Sequence, residues 1–388
     1  MYQGRIYIGS NTGRFHVLDE ATGAPVWDRF LGVTGKYTCG KSKGITSTAT
    51  VAEDPSRGGQ LTVYVGAGDG YLYALRASDG RTVWRAPVNV PTPRVNDRYN
   101  WGSPTLVNGR LYLGISSQCD HPLTRGGLVS VDQATGHILG TYYTVAEGQI
   151  GGSIWSSAAS DGSAVYVTTG NGPGTSDSFS LVKLDPTTLT KVDSWQIPQN
   201  MRGTDGDFGS SPTLFQATLN GRTVGMVGAV AKNTHFYAFR RGDLAAGPVW
   251  TFDLHRNRCT NRGSAGAVSG AAWDGSSLYL ADGGTKIQGV CYNGSIRSID
   301  PSSGNESWET GLGGKVFTSP TLDGAGVLAM STYDRSGAPN AEYFVEGGTG
   351  AILRSIPLPT VSFPQSVFAD QYVFVTTQTG GLWAYSPP

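Results

Sequence analysis

The sequence is poor in charge. Of its 388 residues only 15% are Asp, Glu, Lys or Arg, and 29 basic side chains balance 29 acidic ones. Soluble domains usually carry about 25% charged residues. With no basic excess there is no electrostatic footprint for nucleic acid, which needs a basic face against its phosphates. Long apolar runs are also missing, and no stretch approaches the roughly 18 residues that a transmembrane helix needs. The first residues lack the basic-then-apolar form of a signal peptide. They read as the middle of a repeat, so a longer precursor is expected. Helical periodicity is scarce. The usual signatures of other chemistries are absent: no paired C-x-x-C, no C-x-x-C-H haem motif, no G-x-S-x-G elbow, no P-loop and no dinucleotide fingerprint. The histidines (His16, His121, His137, His235, His255) show no metal-ligand spacing.

What the chain has in excess is glycine, 56 residues of it, about twice the usual share of roughly 7%. Glycine, Asn, Asp and Ser clusters alternate with short runs of Val, Ile, Leu, Tyr and Thr, an all-β pattern. One phrase recurs: an "S-P-T-L" strand, an apolar "G-R-L-Y-L-G" strand, "G-x-L-Y-A-L-D", then "T-G-x-x-x-W". Copies stand at Gly4-Arg5-Ile6-Tyr7 through Trp27, at Tyr64 through Trp84, and from Gly102, Ile154, Gly209, Gly266, Thr318 and Phe363. A period of about 45 residues with four strands per unit predicts a β-propeller. A four-stranded blade cannot bury both apolar faces alone, and packing it between neighbours does so. The reading is a single all-β domain over 1–388, an eight-bladed β-propeller with seven blades as the fallback. The approximate blades are 1–31, 45–88, 100–145, 151–198, 206–254, 263–313, 314–359 and 360–388. The first and last are incomplete, and the strands that would complete the seam are expected upstream of Met1.

The tryptophans ending the repeat phrase, Trp27, Trp84, Trp250 and Trp308, with Trp195 as a looser copy, read as wedges between blades, each burying a large apolar area. Four cysteines (Cys39, Cys119, Cys259, Cys291) fit no zinc spacing. Two disulfides and an oxidising compartment are one reading, four buried thiols the other.

The "L-D-x-x-T-G-x-x-x-W" phrase, complete from Leu18 to Trp27, resembles the tryptophan-docking repeat of the eight-bladed quinoproteins. That superfamily holds pyrroloquinoline quinone (PQQ) dehydrogenases and non-catalytic outer-membrane assembly propellers, so the repeat implies a fold and leaves the cofactor open. Four local stretches resemble the cofactor site of the PQQ alcohol dehydrogenases. Gly151-Gly152-Ser153-Ile154-Trp155 is similar to the stretch that places a Trp under the quinone, and implies that Trp155 forms the floor, with Ser153 beside it. Tyr166-Val167-Thr168-Thr169-Gly170-Asn171-Gly172-Pro173-Gly174 resembles the stretch presenting an Asn ligand to calcium, whose hard-oxygen preference suits the Asn171 amide. Asp205-Gly206-Asp207-Phe208 resembles the "W-D-Y/F" stretch of the catalytic Asp, which makes Asp207 both general base and metal ligand. Ala231-Lys232-Asn233 resembles the "K/R-N-G" stretch whose cation meets the quinone oxygens, the role of Lys232. Each has a plainer reading: an inter-blade wedge for Trp155, a left-handed turn for Asn171, a strand-start cap for Asp207, and a hairpin surface lysine for Lys232.

The chain also departs from that family. Its ligand Glu corresponds to Asp120 in Ser117-Gln118-Cys119-Asp120, one methylene shorter, with Ser117 at the cofactor. The Trp before the catalytic Asp is Gly206, and the second Asp of lanthanide-dependent relatives is Gly209, so calcium is the implied metal. The adjacent Cys-Cys pair is missing. Cys39-Gly40-Lys41-Ser42-Lys43 loosely follows the Cys-to-Arg spacing, which puts Lys43 at a cofactor-binding cation. Cys39 and Cys119 both belong to loops on the face of the candidate ligands, where a bond between them is expected to replace the adjacent pair; Cys259 and Cys291 fall on the same face and are expected as the second bond. The implied activity is PQQ- and calcium-dependent oxidation of a small alcohol or polyol, with an external electron acceptor such as a cytochrome c, in a secreted or periplasmic protein. The alternative is a non-catalytic propeller that binds a protein or glycan on its loop face.

Overall fold

The computed structural model describes residues 1–35, 42–93, 95–257, 259, 267–335 and 337–386. It divides into two compact units, Met1–Gln199 and Asn200–Pro388. Each unit holds four antiparallel meanders. In the first unit they are blade 1 (Arg5–Gly9, Arg14–Asp19, Pro25–Phe30), blade 2 (Thr50–Asp54, Gln60–Gly66, Tyr71–Arg76, Thr82–Pro87), blade 3 (Thr105–Val107, Arg110–Ile115, Gly127–Asp132, Ile138–Tyr143) and blade 4 (Ala159–Ser160, Val165–Thr168, Ser180–Leu184, Lys191–Gln196). The second unit holds blade 5 (Thr213–Leu219, Arg222–Val230, His235–Arg240, Trp250–Asp253) and blade 6 (Ala272–Trp273, Leu278–Asp282, Gly294–Ile299, Glu306–Leu312). Blade 7 (Thr321–Leu322, Val327–Ser331, Asn340–Glu346, Ile352–Leu358) and blade 8 (Val367–Ala369, Tyr372–Thr376, Leu382–Tyr385) complete it. The fold is an all-β, eight-bladed β-propeller; blades 1 and 8 show three strands among the described residues.

The recurrent phrase maps onto contacts between successive blades. In the "S-P-T" strand the Thr hydroxyl donates to a carbonyl of the next blade: Thr105 to Ala158 (2.7 Å), Thr213 to Ala271 (3.1 Å) and Thr321 to Ser366 (2.6 Å). In the "T-G-x-x-x-W" phrase the indole N–H donates across the same way: Trp27 to Ala77 (2.8 Å), Trp84 to Gln133 (3.0 Å), Trp250 to Pro301 (2.9 Å) and Trp308 to Gly347 (3.0 Å). The glycine of the phrase is the seat for that ring. Gly136 has φ +73, and a Cβ on it would lie 2.6 Å from the Trp84 ring; Gly80, Gly304 and Gly350 stand likewise under Trp27, Trp250 and Trp308. Each glycine therefore serves a left-handed turn in its own blade and a ring contact with the preceding one. The Asp of the phrase caps that turn. Thr135 donates its hydroxyl and its amide to Asp132 at 2.7 and 2.8 Å, and these bonds hold the Asp132 carboxyl below its usual range.

Between blades the core is apolar, for example Tyr64, Leu72, Leu111, Leu113 and Val131. Glu342 is the exception in blade 7. It is fully buried, takes a hydrogen bond from the Ser331 hydroxyl, and burial pushes its carboxyl up to about 7. A carboxyl raised above its unfolded value of about 4.3 stabilises the fold below that value and loses the contribution as pH climbs to its folded value. Glu342→Gln is expected to remove this slope. Wild type should lose on the order of 2–3 kcal/mol more than the variant between pH 4.5 and pH 8. Parallel urea-unfolding curves for the two proteins across that range would refute it.

Candidate active site

In the first unit, the second strands of blades 3 and 4 end where Ser117–Asp120 and Asn171 begin, and Ser153 and Trp155 lie just before the first strand of blade 4. All of these therefore sit at one end of their blades. The loops are stitched through the backbone: the Gly152 N–H donates to the Asn171 carbonyl (2.6 Å) and the Gly170 N–H to the Ser153 carbonyl (2.8 Å). Their side chains form one chain of contacts. The Ser117 amide donates to Ser153 Oγ (3.0 Å), the two hydroxyls lie 3.0 Å apart, and Ser117 Oγ donates to Asp120 Oδ1 (2.5 Å). Asn171 Nδ2 donates to Asp120 Oδ2 (3.2 Å). Ser117 and Asp120 of one stretch, Ser153 of a second and Asn171 of a third thus meet. Asp120 adopts φ +64, a left-handed conformation that Asp takes more readily than most residues with a side chain. Trp155 stands half-buried at the opening of this blade.

The structure adds two residues to this cluster. The Trp101 indole donates to the Ser117 and Gln118 carbonyls (3.1 and 3.2 Å), and the Lys43 ammonium lies 3.9 Å over the centre of the Trp101 ring. Burial holds the Lys43 pKa below that of an ordinary lysine. The signal for Trp101 was present in the repeat: it precedes Gly102-Ser103 as Trp155 precedes Ser156-Ser157, and the Ser103 amide donates to Ser157 Oγ at 2.9 Å. The other addition is Gln118, which is buried. Its Nε2 donates to Thr34 Oγ1 (3.0 Å), while its Oε1 has no hydrogen-bond partner among the described residues.

In the second unit, Asp207 lies before the first strand of blade 5 and Lys232 just after its second. The Lys232 N–H donates to the Asp207 carbonyl (2.8 Å), beside a bridge between Phe208 and Ala231. That register sets the side chains: Lys232 Nζ is 2.8 Å from Asp207 Oδ1 and 3.0 Å from Asp205 Oδ1. Asp207 is 1% exposed. Burial pushes its carboxyl up to about 7, outweighing the pull of the Lys232 ammonium. Burial works against the charge on Lys232 as well, but attraction to Asp207 and Asp205 raises its pKa overall. The sequence reading had treated base and cation as two independent motifs. The structure makes them one ion pair.

Two glycines explain departures noted above. A Cβ on Gly206 would lie 1.9 Å from the Arg202 carbonyl oxygen, so the Trp of the related motif has no room there. A Cβ on Gly209 would lie 2.3 Å from the Ala267 carbonyl oxygen, which excludes a second Asp. Among the cysteines, Cys259 and Cys291 form a disulfide. Cys119 is disulfide-bonded too, while its expected partner Cys39 lies outside the described residues.

The oxygens that the first unit gathers are a carboxylate and amides, the donor chemistry of a hard cation such as calcium. Among the described residues no cluster of three or more His, Cys, Asp or Glu side chains forms. The buried Gln118 Oε1, two residues before Asp120, is left without a partner among the described residues, and an unmade acceptor costs about 1–3 kcal/mol.

A family model described as "Outer membrane protein assembly factor BamB" (PQQ_2) matches residues 2–172 and 46–243. The chain belongs to this family. Among relatives of this PQQ_2 chain is a quinohemoprotein alcohol dehydrogenase, ADH IIB, from Pseudomonas putida. It is 24% identical over 284 residues, 62% of this chain and 39% of its own length. The chain therefore spans about two fifths of the length of the curated relatives it matches. Two solved structures share the fold. One is a quinohemoprotein alcohol dehydrogenase from Comamonas testosteroni, with TM-score 0.72 and 18% identity over 97% of this chain and 69% of that one. The other is a europium-containing methanol dehydrogenase, with TM-score 0.74 and 15% identity over 97% of this chain and 81% of that one.

Proposed function

We propose that this PQQ_2 protein oxidises alcohols, secondary alcohols or polyols among them, with PQQ and calcium. An external acceptor such as a cytochrome c takes the electrons, and the protein works in the periplasm or outside the cell. The observation that carries this reading is the contact chain Ser153–Ser117–Asp120–Asn171, which brings together three of the sequence stretches. Ordinary turns have no need to assemble a carboxylate, an amide and two hydroxyls from two blades.

In this reading Asp120 and Asn171 are the metal donors of the first unit, Ser117 and Ser153 hold them in place, and Trp155 offers a flat face to the quinone. Lys43, on Trp101, adds positive charge. Asp207, also counted as a metal ligand, takes the hydroxyl proton of the alcohol as general base. Lys232 steadies its carboxylate before the transfer and balances charge afterwards. Bound calcium and PQQ supply a Lewis acid and a two-electron hydride acceptor. Steric exclusion of an Asp at position 209 favours calcium over a lanthanide.

The second reading, a non-catalytic scaffold that binds a protein or glycan, draws on the matching family description. Titrating PQQ with calcium while following tryptophan fluorescence separates the two. Saturable, calcium-dependent quenching at micromolar PQQ, weakened at least tenfold in Asp120→Ala, is the expected result. A folded protein that does not quench is the scaffold.

A further inference from the structure

A cleft of about 330 Å³ opens in blade 7 of the second unit, lined by Lys315, Phe317, Tyr333, Asp334 and Arg335. Lys315 and Phe317 precede the first strand of the blade, and Tyr333–Arg335 follow its second. These are the positions that Asp207 and Lys232 occupy in blade 5, so the cleft lies at the same end of its blade as they do of theirs. No motif in the sequence singled it out, and the function proposed above does not use it.

Its chemistry is specific. Phe317 and Tyr333 pack with centres 5.0 Å apart, and Phe363, 46% exposed, lies 6.4 Å from the first and 6.0 Å from the second. Phe363 stands at 51° to Phe317 and edge-on to Tyr333 at 80°, so the three rings form an angled apolar wall beside the cleft. Arg335 lies 5.0 Å over the Tyr333 ring and donates to the Gln378 amide oxygen (2.5 Å). Among the described residues neither Lys315 nor Arg335 has an acidic ion-pair partner. With Asp334 the one acid among the described lining residues, these side chains carry one positive charge in excess.

The walls are held before any ligand arrives. The Tyr333 N–H donates to the Lys315 carbonyl (2.7 Å), which ties the two loops together. The Asn340 amide closes on the backbone of Asp334 from both sides, accepting from its N–H (2.7 Å) and donating to its carbonyl (2.9 Å). Gly314 approaches Thr332 so closely that a Cβ would lie 2.9 Å away. Walls fixed in this way lower the ordering cost of binding.

We propose that this cleft is a second ligand site, which takes a ring-bearing carboxylate: the ring packs into the angle between Phe317 and Phe363, and the carboxylate sits between Lys315 and Arg335. The volume, at the low end of the roughly 300–1,000 Å³ of small-molecule pockets, admits one or two rings. Charge-assisted bonds fix the carboxylate, and apolar packing fixes the ring. Aromatic acids and sugar acids share this chemistry.

Calorimetric titration of the whole chain, without PQQ, with benzoate and with glucuronate tests the site. Benzyl alcohol and glucose serve as neutral counterparts. The expected result is saturable binding of at least one acid, at least tenfold tighter than its neutral counterpart. Lys315→Met and Arg335→Met should each weaken it about tenfold, as loss of one charge-assisted contact does. Phe363→Ser, on an exposed ring, leaves the fold intact and should weaken it too. Binding of benzoate alone identifies an aromatic acid, and of glucuronate alone a sugar acid. The proposal is overturned if neither acid saturates wild type at about 20 mM, if the neutral counterparts bind equally well, or if Lys232→Met abolishes binding while Lys315→Met retains it.

Discussion

Asp207→Asn is expected to lower alcohol-dependent dye reduction by the PQQ-loaded protein by about 10²–10⁴-fold, the usual share of a general base. The substitution keeps the shape and removes the negative charge, and with it the proton acceptor and a charged donor to the metal. Lys232 keeps a partner in Asp205, 3.0 Å away, so the loop should hold its position. Removing a carboxylate that is 1% exposed takes away a buried charge, so thermal stability should hold or rise. This pairing of outcomes separates chemistry from folding: the rate collapses while the melting temperature does not. Lys232→Met is the informative companion, because it leaves Asp207 buried without its cation and should lower stability as well as rate. Turnover by Asp207→Asn within tenfold of wild type would remove Asp207 from the reaction.

Arg297→Met should destabilise the protein by about 3–5 kcal/mol, the usual result of removing one partner from a buried charge cluster. Arg297 is fully buried in the third strand of blade 6. Its Nη2 lies 2.6 Å from Glu309 Oε1 and its Nε 3.5 Å from Glu306 Oε2. Glu309 also accepts from the Thr285 hydroxyl (2.6 Å), and Glu306 pairs with the half-exposed Arg256 (2.5 Å). Burial, and then repulsion from Glu309, already raise the Glu306 carboxyl. Without Arg297 the two glutamates face each other with only Arg256 to offset them. The double variant Arg297→Met/Glu309→Gln should recover most of the loss, because it removes the stranded charge with the cation. A shift in the urea-unfolding midpoint is the readout. A single variant within about 1 kcal/mol of wild type would mean that the network contributes little.

Legibility differed between the two kinds of contact. Trp84 and Gly136 belong to the same repeated phrase one copy apart, so their docking follows from period alone, and the "S-P-T" threonines behave likewise. The Asp120–Asn171 contact was half-legible: both residues stood in recognisable stretches, but nothing in the sequence states that they touch. Lys43 was read as a cofactor cation, and the structure seats it on Trp101. Arg297 gave no warning, because a lone Arg in an alternating strand reads as solvent-facing. It is buried because the facing strand supplies Glu309 and Glu306, and the preceding blade places Phe252 at 6.0 Å.

By itself the sequence determined the all-β class, the eight-blade repeat, the tryptophan docking and the candidate residues at the blade ends. These depend on spacing along one chain, where a strand period of two and a repeat of about 45 residues leave a direct trace. Only the tertiary structure decided that Asp207 and Lys232 are a single ion pair, that Ser117 and Ser153 brace Asp120, and that blade 7 holds a cationic aromatic cleft. Each of these joins side chains from different loops. Their distances are set by backbone register between those loops, and no periodicity records that register.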